Sequence, residues 1–175
     1  QLFSGNVKPN WPALNYLNLN GNKLVVVPPI CKDLPALKQL HLHMNHIGDV
    51  RELCRPSFAG LEILDLGGNK VSELPGAFMH FCKSLIQVTL TNNDLNRLPG
   101  NIGAHPAIKV LNVDGNPLRS IMRPIIDGGS ARLLKYLADK FNPDADGKIE
   151  EWALEQEKED TERIAAREAE LEYKR

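Results

Sequence analysis

A parallel α/β solenoid, with short strands stacked into a curved sheet on the concave face and short helical or irregular segments on the convex face, is the fold class this sequence predicts. Two observations predict it. One apolar pattern recurs five times between Leu14 and Leu118, and each copy holds an asparagine at the same place. The copies begin at Leu14, Leu37, Leu61, Leu85 and Ile108, in steps of 23 or 24 residues. That period belongs to small units that cannot bury an apolar face alone and gain a continuous core by stacking.

The first copy reads Leu14, Leu17, Leu19, Asn22, Leu24, and the second Leu37, Leu40, Leu42, Asn45, Ile47. The third is Leu61, Leu64, Leu66, Asn69, Val71; the fourth Leu85, Val88, Leu90, Asn93, Leu95; the fifth Ile108, Leu111, Val113, Asn116, Leu118. This is the template of leucine-rich repeats, so the solenoid is expected to be right-handed, as parallel crossovers are. Within each copy the period-2 pair, such as Leu17 and Leu19, marks a strand with one buried side, and the asparagine marks the turn after it. Asn22, Asn45, Asn69, Asn93 and Asn116 then form a ladder. Each is expected to donate its side-chain amide to backbone carbonyls of the neighbouring coil, a structural role.

Between strands, Ile30 and Leu34, Cys54 and Phe58, and Phe78 and Cys82 are expected to enter the core from the convex side. Cys54 and Cys82 thereby read as small buried hydrophobes rather than nucleophiles or metal ligands. Val7 and Trp11 hold the matching places ahead of the first copy. The chain is therefore expected to open inside a preceding coil, with further repeats upstream. At the other end Asp114-Gly115-Asn116-Pro117 closes the last copy, and Ile125, Ile126, Leu133, Leu134, Leu137 and Phe141 describe an amphipathic capping helix. The organisation predicted is repeats over 1–118, a cap over 119–141, and a turn with a charged helical tail over 142–175.

In the tail, Glu159 with Arg163 and Glu170 with Lys174 stand at i,i+4, and Ile149, Trp152, Leu154, Ile164 and Leu171 hold no clean heptad. A solvated charged helix fits this best, with a partner-docking helix or coiled coil as the alternative and Trp152 as a candidate anchor to the cap. Its approach, Asn142-Pro143-Asp144-Ala145-Asp146-Gly147-Lys148-Ile149, resembles the first eight positions of an EF-hand loop, which would put calcium on Asn142, Asp144 and Asp146. Ala153 stands where the twelfth position requires a bidentate glutamate. A turn with Asp146 as helix N-cap accounts for the same residues, and a calcium-responsive regulatory module is kept as the alternative function.

Strand alternation projects the residues between the buried leucines from the concave face in three columns. They are Tyr16, Gln39, Ile63, Gln87, Val110; Asn18, His41, Asp65, Thr89, Asn112; and Asn20, His43, Gly67, Thr91, Asp114. A few apolar anchors among amides and hydroxyls suit protein recognition. The candidate binding residues are Tyr16, Asn18, Asn20, Gln39, His41, His43, Ile63, Asp65, Gln87, Thr89, Thr91, Asn112 and Asp114. His41 and His43 share a face, with Asp65 on the next strand roughly 4.8 Å away, so a metal or His–Asp pair is geometrically open. Solvated polar side chains fit better.

With 21 Lys and Arg against 22 Asp and Glu, the net charge of −1 carries no footprint for nucleic acid or an anionic membrane. No apolar run is long enough for a membrane span, and Gln1 opens no signal peptide. Three cysteines without close clusters, and no Asn-x-Ser/Thr site, favour a reducing, cytoplasmic setting. Neither a nucleophile with its base nor a phosphate loop is visible, so no enzyme and no cofactor is expected.

Leu-Pro or Val-Pro on the convex entry, at Val27-Pro28, Leu74-Pro75 and Leu98-Pro99, resembles the intracellular Ras-group leucine-rich-repeat proteins, although Ile47 to Leu53 carries no proline. The run Leu111 to Arg119, continuing to Leu133-Leu134-Lys135-Tyr136-Leu137, looks like the C-terminal cap of such proteins. What the resemblance implies is a scaffold that offers its concave face to other proteins, in some relatives small GTPases or phosphatase complexes.

Overall fold

The computed structural model describes residues 11–143 and 149–173. Five three-residue strands, β1 (Tyr16–Asn18), β2 (Gln39–His41), β3 (Ile63–Asp65), β4 (Gln87–Thr89) and β5 (Val110–Asn112), lie side by side in chain order. All four pairings are parallel, and Tyr16, Gln39, Ile63, Gln87 and Val110 stand opposite one another without offset. The central residues Leu40, Leu64 and Val88 are wholly buried, while their strand neighbours are half-buried. The apolar spacing sets this register, because a one-residue slip would turn each leucine to solvent.

Beyond the strands the backbone stays paired into the turn, where Met44 N–H reaches Gly67 O at 2.9 Å and Gly68 N–H reaches Thr91 O at 2.8 Å. The residue just ahead of each ladder asparagine is left-handed: Gly21 (φ 67°), Met44 (54°), Gly68 (65°), Asn92 (53°) and Gly115 (74°). Glycine and asparagine tolerate that region and methionine does not.

The asparagines then tie the coils together. Asn69 Nδ2 donates to Leu42 O and Leu66 O at 2.9 Å each, and its Oδ1 accepts the N–H of Ile47 at 3.0 Å. Asn45, Asn93 and Asn116 repeat the arrangement on Leu19, Leu66 and Leu90. Asn22 differs: it is exposed, and its amide donates to Leu19 O and Asn20 O of its own coil. Each of the other four asparagines satisfies one N–H and at least two carbonyls that the turn would leave bare.

On the convex side run 3₁₀ turns Pro29–Asp33, Arg51–Leu53, Pro56–Phe58 and Gly100–Ile102, and a short helix α1 (Ala77–Phe81). Pro29 and Pro56 open their turns, where a missing N–H costs nothing. Leu34, Cys54, Phe58, Phe78 and Cys82 fill the core as expected, but Ile30 is only half-buried and Cys31 takes the buried place of that turn.

Two helices close the far end, α2 (Arg123–Ile126) and α3 (Gly129–Lys140), with Ile126, Leu133 and Leu137 buried. The Ser130 hydroxyl accepts the N–H of Leu111 at 3.0 Å and donates to its carbonyl at 3.1 Å, covering backbone groups on the open edge of β5. Gly103 lets the fourth coil press against α3, because a Cβ there would overlap the backbone of Ala138 and Leu137.

The tail departs from the expected solvated helix. Helix α4 (Glu151–Tyr173) lies against the convex side of the second and third coils rather than against the cap. The Glu150 carboxylate accepts the N–H groups of Gly76 and Ala77 at 2.9 Å each, at the start of α1. Ala153 is completely buried. Arg55 Nη1 donates to Asp160 Oδ2 at 2.9 Å, with both residues under a tenth exposed, and Arg163 reaches Asp160 and Asp33. Trp152 and Glu150 line a cleft with Gly48–Arg51, Ser72, Glu73 and Pro75. Among the described residues no helix is long and apolar enough to cross a membrane.

Candidate functional site

Strand pairing brings the candidate residues of the first two columns into register, from Tyr16 to Val110 and from Asn18 to Asn112. The third column continues past the strand ends, carried by the backbone bonds that link Gly21 to His43, Met44 to Gly67 and Gly68 to Thr91. The face is therefore one continuous polar surface. Asp65 and Asp114 are the only charged members of its fifteen positions, and no lysine or arginine stands among them.

Its first half is the more ordered by contacts. The Tyr16 and His41 rings lie 5.1 Å apart, tilted at 42°, and Asn18 Nδ2 donates to the Tyr16 hydroxyl at 3.3 Å. Asn18 and Asn20 each hold a backbone N–H, of Asn20 and His43 respectively. The His41 Nε2 is buried and has no hydrogen-bond partner among the described residues. Tyr16 is 48% exposed and Met44, beside the third column, 63% exposed. Met44 escapes the alternation rule because it sits on the turn, one residue past the columns; its residue type at a glycine position is the signal that could have found it.

Asp65 faces two neighbours. Its Oδ1 accepts the N–H of Gly67 at 2.9 Å and lies 3.9 Å from His43 Nδ1. His41 turns to Tyr16 instead, and among the described residues no three metal-ligating side chains gather on one centre. Asp144 and Asp146 lie outside the described residues. At the twelfth position of the EF-hand-like run, Ala153 presents a methyl to the protein interior and no oxygen.

The cysteines offer no nucleophile. Burial pushes the thiols of Cys31 and Cys54 up to about 12 and that of Cys82 well above its ordinary value, so the thiolate is scarce at neutral pH. Cys82 Sγ rests on the carbonyl of Leu53. Burial lowers the pKa of His105, partly offset by the contact of its Nε2 with Cys82 O at 3.1 Å, and its Nδ1 accepts the N–H of Ala107.

Comparison with known proteins agrees with this architecture. Residues 12–55 match the model for paired leucine-rich repeats and residues 60–81 the single leucine-rich repeat. Human leucine-rich repeats and immunoglobulin-like domains protein 1 is 27% identical over 135 residues, covering 63% of this chain and 12% of that protein. Disease resistance protein UNI of Arabidopsis thaliana is 29% identical over 105 residues, covering 59% and 12%. The chain thus spans only a small part of the curated relatives it matches. A solved leucine-rich-repeat protein of Leptospira interrogans superposes with a TM-score of 0.59 at 30% identity, covering 75% of this chain and 31% of that one. Repeat template, parallel register and family models converge, and the chain carries leucine-rich repeats folded as a leucine-rich-repeat solenoid.

Proposed function

We propose that this solenoid is a non-catalytic interaction scaffold that binds other proteins through its concave face. The observation that carries the reading is the division of labour between the two sides of each strand. Leucines and ladder asparagines account for the fold, while Tyr16, His41, His43 and Asp65 hold no core contact that would require their residue types. Exposed aromatic and apolar anchors beside hydrogen-bonding groups are the composition of a protein interface. The convex Leu-Pro entries support an intracellular, cytoplasmic setting of the Ras-group kind, with small GTPases or phosphatase complexes as the partner classes to try first.

The test is affinity capture with the chain and with a Tyr16→Ala, His41→Ala, His43→Ala, Asp65→Ala variant. These positions are peripheral to the core, so the variant is expected to fold, as circular dichroism will check. Captured partners should weaken by at least about tenfold, roughly 1.4 kcal/mol. Capture that is unchanged for every partner would sink the reading.

A further inference from the structure

Gly67 is the only glycine among the fifteen concave positions, and its backbone does not demand one, because the left-handed residue of that turn is Gly68. The surroundings favour one. A Cβ on Gly67 would lie 2.8 Å from His43 Nδ1, 2.9 Å from Thr91 Oγ1 and 3.2 Å from Asp65 Oδ1. Three polar atoms, contributed by three successive coils, thus gather over the buried Gly67 backbone, and the notch they rim is too tight for a methyl at its floor.

We propose that this notch receives the ammonium group of a single lysine presented by the bound protein, an assignment that rests on the concave face being the binding surface. Carboxylate, hydroxyl and neutral imidazole can all accept, the imidazole at Nδ1 when the proton sits on Nε2. An ammonium supplies three donors in a compact tetrahedral head, which suits acceptors gathered round one point. A guanidinium spreads its five donors over a planar fork and fits paired acceptors better. An anion would meet Asp65, and an apolar group would strip water from three polar atoms and return no hydrogen bond. The charge of the whole face points the same way, since its only formal charges are the carboxylates of Asp65 and Asp114. Tyr16 and Met44, both largely exposed on the same half of the sheet, supply apolar contact for the segment that carries the lysine.

The experiment selects peptides from a random phage-displayed library on the intact chain. Winners are then titrated by fluorescence anisotropy against wild type, Gly67→Ala, Asp65→Asn and Tyr16→Ala. Gly67→Ala fills the notch and is expected to fold, because the atoms it meets are side-chain ends that can rotate away. Asp65→Asn removes the charge and keeps an oxygen for the Gly67 N–H. Selected peptides should carry a lysine. Affinity should fall at least about tenfold on Gly67→Ala, on Asp65→Asn and on replacing that lysine by Nε-acetyl-lysine. Peptides that bind, lose affinity on Tyr16→Ala, and ignore both Gly67→Ala and lysine acetylation would overturn the notch while leaving the concave-face reading intact. Peptides indifferent to all three variants would overturn both, and a library that yields no binder would overturn the notch.

Discussion

Met44 occupies the one left-handed position among the five equivalent turns that neither glycine nor asparagine fills. An L-residue there costs about 1–2 kcal/mol, and Met44 is too exposed to recover much by packing. Met44→Gly relieves the strain but also loosens the unfolded chain, which takes back roughly 0.5–1 kcal/mol. The variant is expected to gain about 0.5–1 kcal/mol, seen as a Tm a few degrees higher in thermal unfolding. An unchanged or lower Tm would show that Met44 contributes contacts that offset its backbone. Such strain is invisible in a list of apolar positions, since methionine reads there as one more exposed residue. Cys31 escaped for a related reason: the tight turn from Pro29 to Asp33 leaves its second residue half-buried and turns its third fully inward, and only the turn type decides which.

At the scale of the element, the ladder asparagines differ in what they hold. Asn69→Ala would strand the N–H of Ile47 in the interior and take one of two amide donors from each of the carbonyls of Leu42 and Leu66, which keep Asn45 and Asn93. With one buried N–H left unpaired, at about 1–3 kcal/mol, and two further hydrogen bonds lost at about 0.5–1.5 kcal/mol each, a net loss of about 3 kcal/mol is expected. Asn22→Ala, on an exposed residue bonded within its own coil, should cost under about 1 kcal/mol. Urea denaturation of the two variants checks this, and equal losses would contradict it. The strands were the most legible part of the chain, because leucines at alternate positions admit one register and one buried side. The convex segments were legible only as apolar positions. Whether they coil as 3₁₀ turns, as after Pro56, or as a helical turn, as at Ala77–Phe81, depends on packing between coils. The concave columns came directly from alternation, but the notch at Gly67 needed the distances between side chains on three successive coils.

At the scale of the whole molecule, α4 turns a stack of repeats into a structure with long-range closure. Arg55 and Asp160 are 105 residues apart in sequence and meet in the interior. Nothing in the local spacing of acids and bases announces such a pair, and i,i+4 charges read equally well as a solvated face. Removing one partner of a buried pair is costly, whereas replacing both by apolar groups is often near neutral. Asp160→Ala is expected to cost about 2 kcal/mol, since Arg55 keeps Glu52 as a partner. Arg55→Met combined with Asp160→Leu should lie within about 1 kcal/mol of wild type. A chemical-denaturation cycle over the four proteins measures the coupling; strictly additive losses would mean that the helix is held elsewhere.

Every ladder asparagine lies eight positions after the first apolar residue of its copy, whereas 15 or 16 residues separate it from the next copy. All the variation in length is thus taken up on the convex side, and the strands pair with no offset. One side of the chain can drift in length over evolutionary time without disturbing the other. A codon gained between Leu37 and Asn45 would rotate the remainder of that coil out of phase, while one gained between Ile47 and Leu61 leaves the concave face as it was.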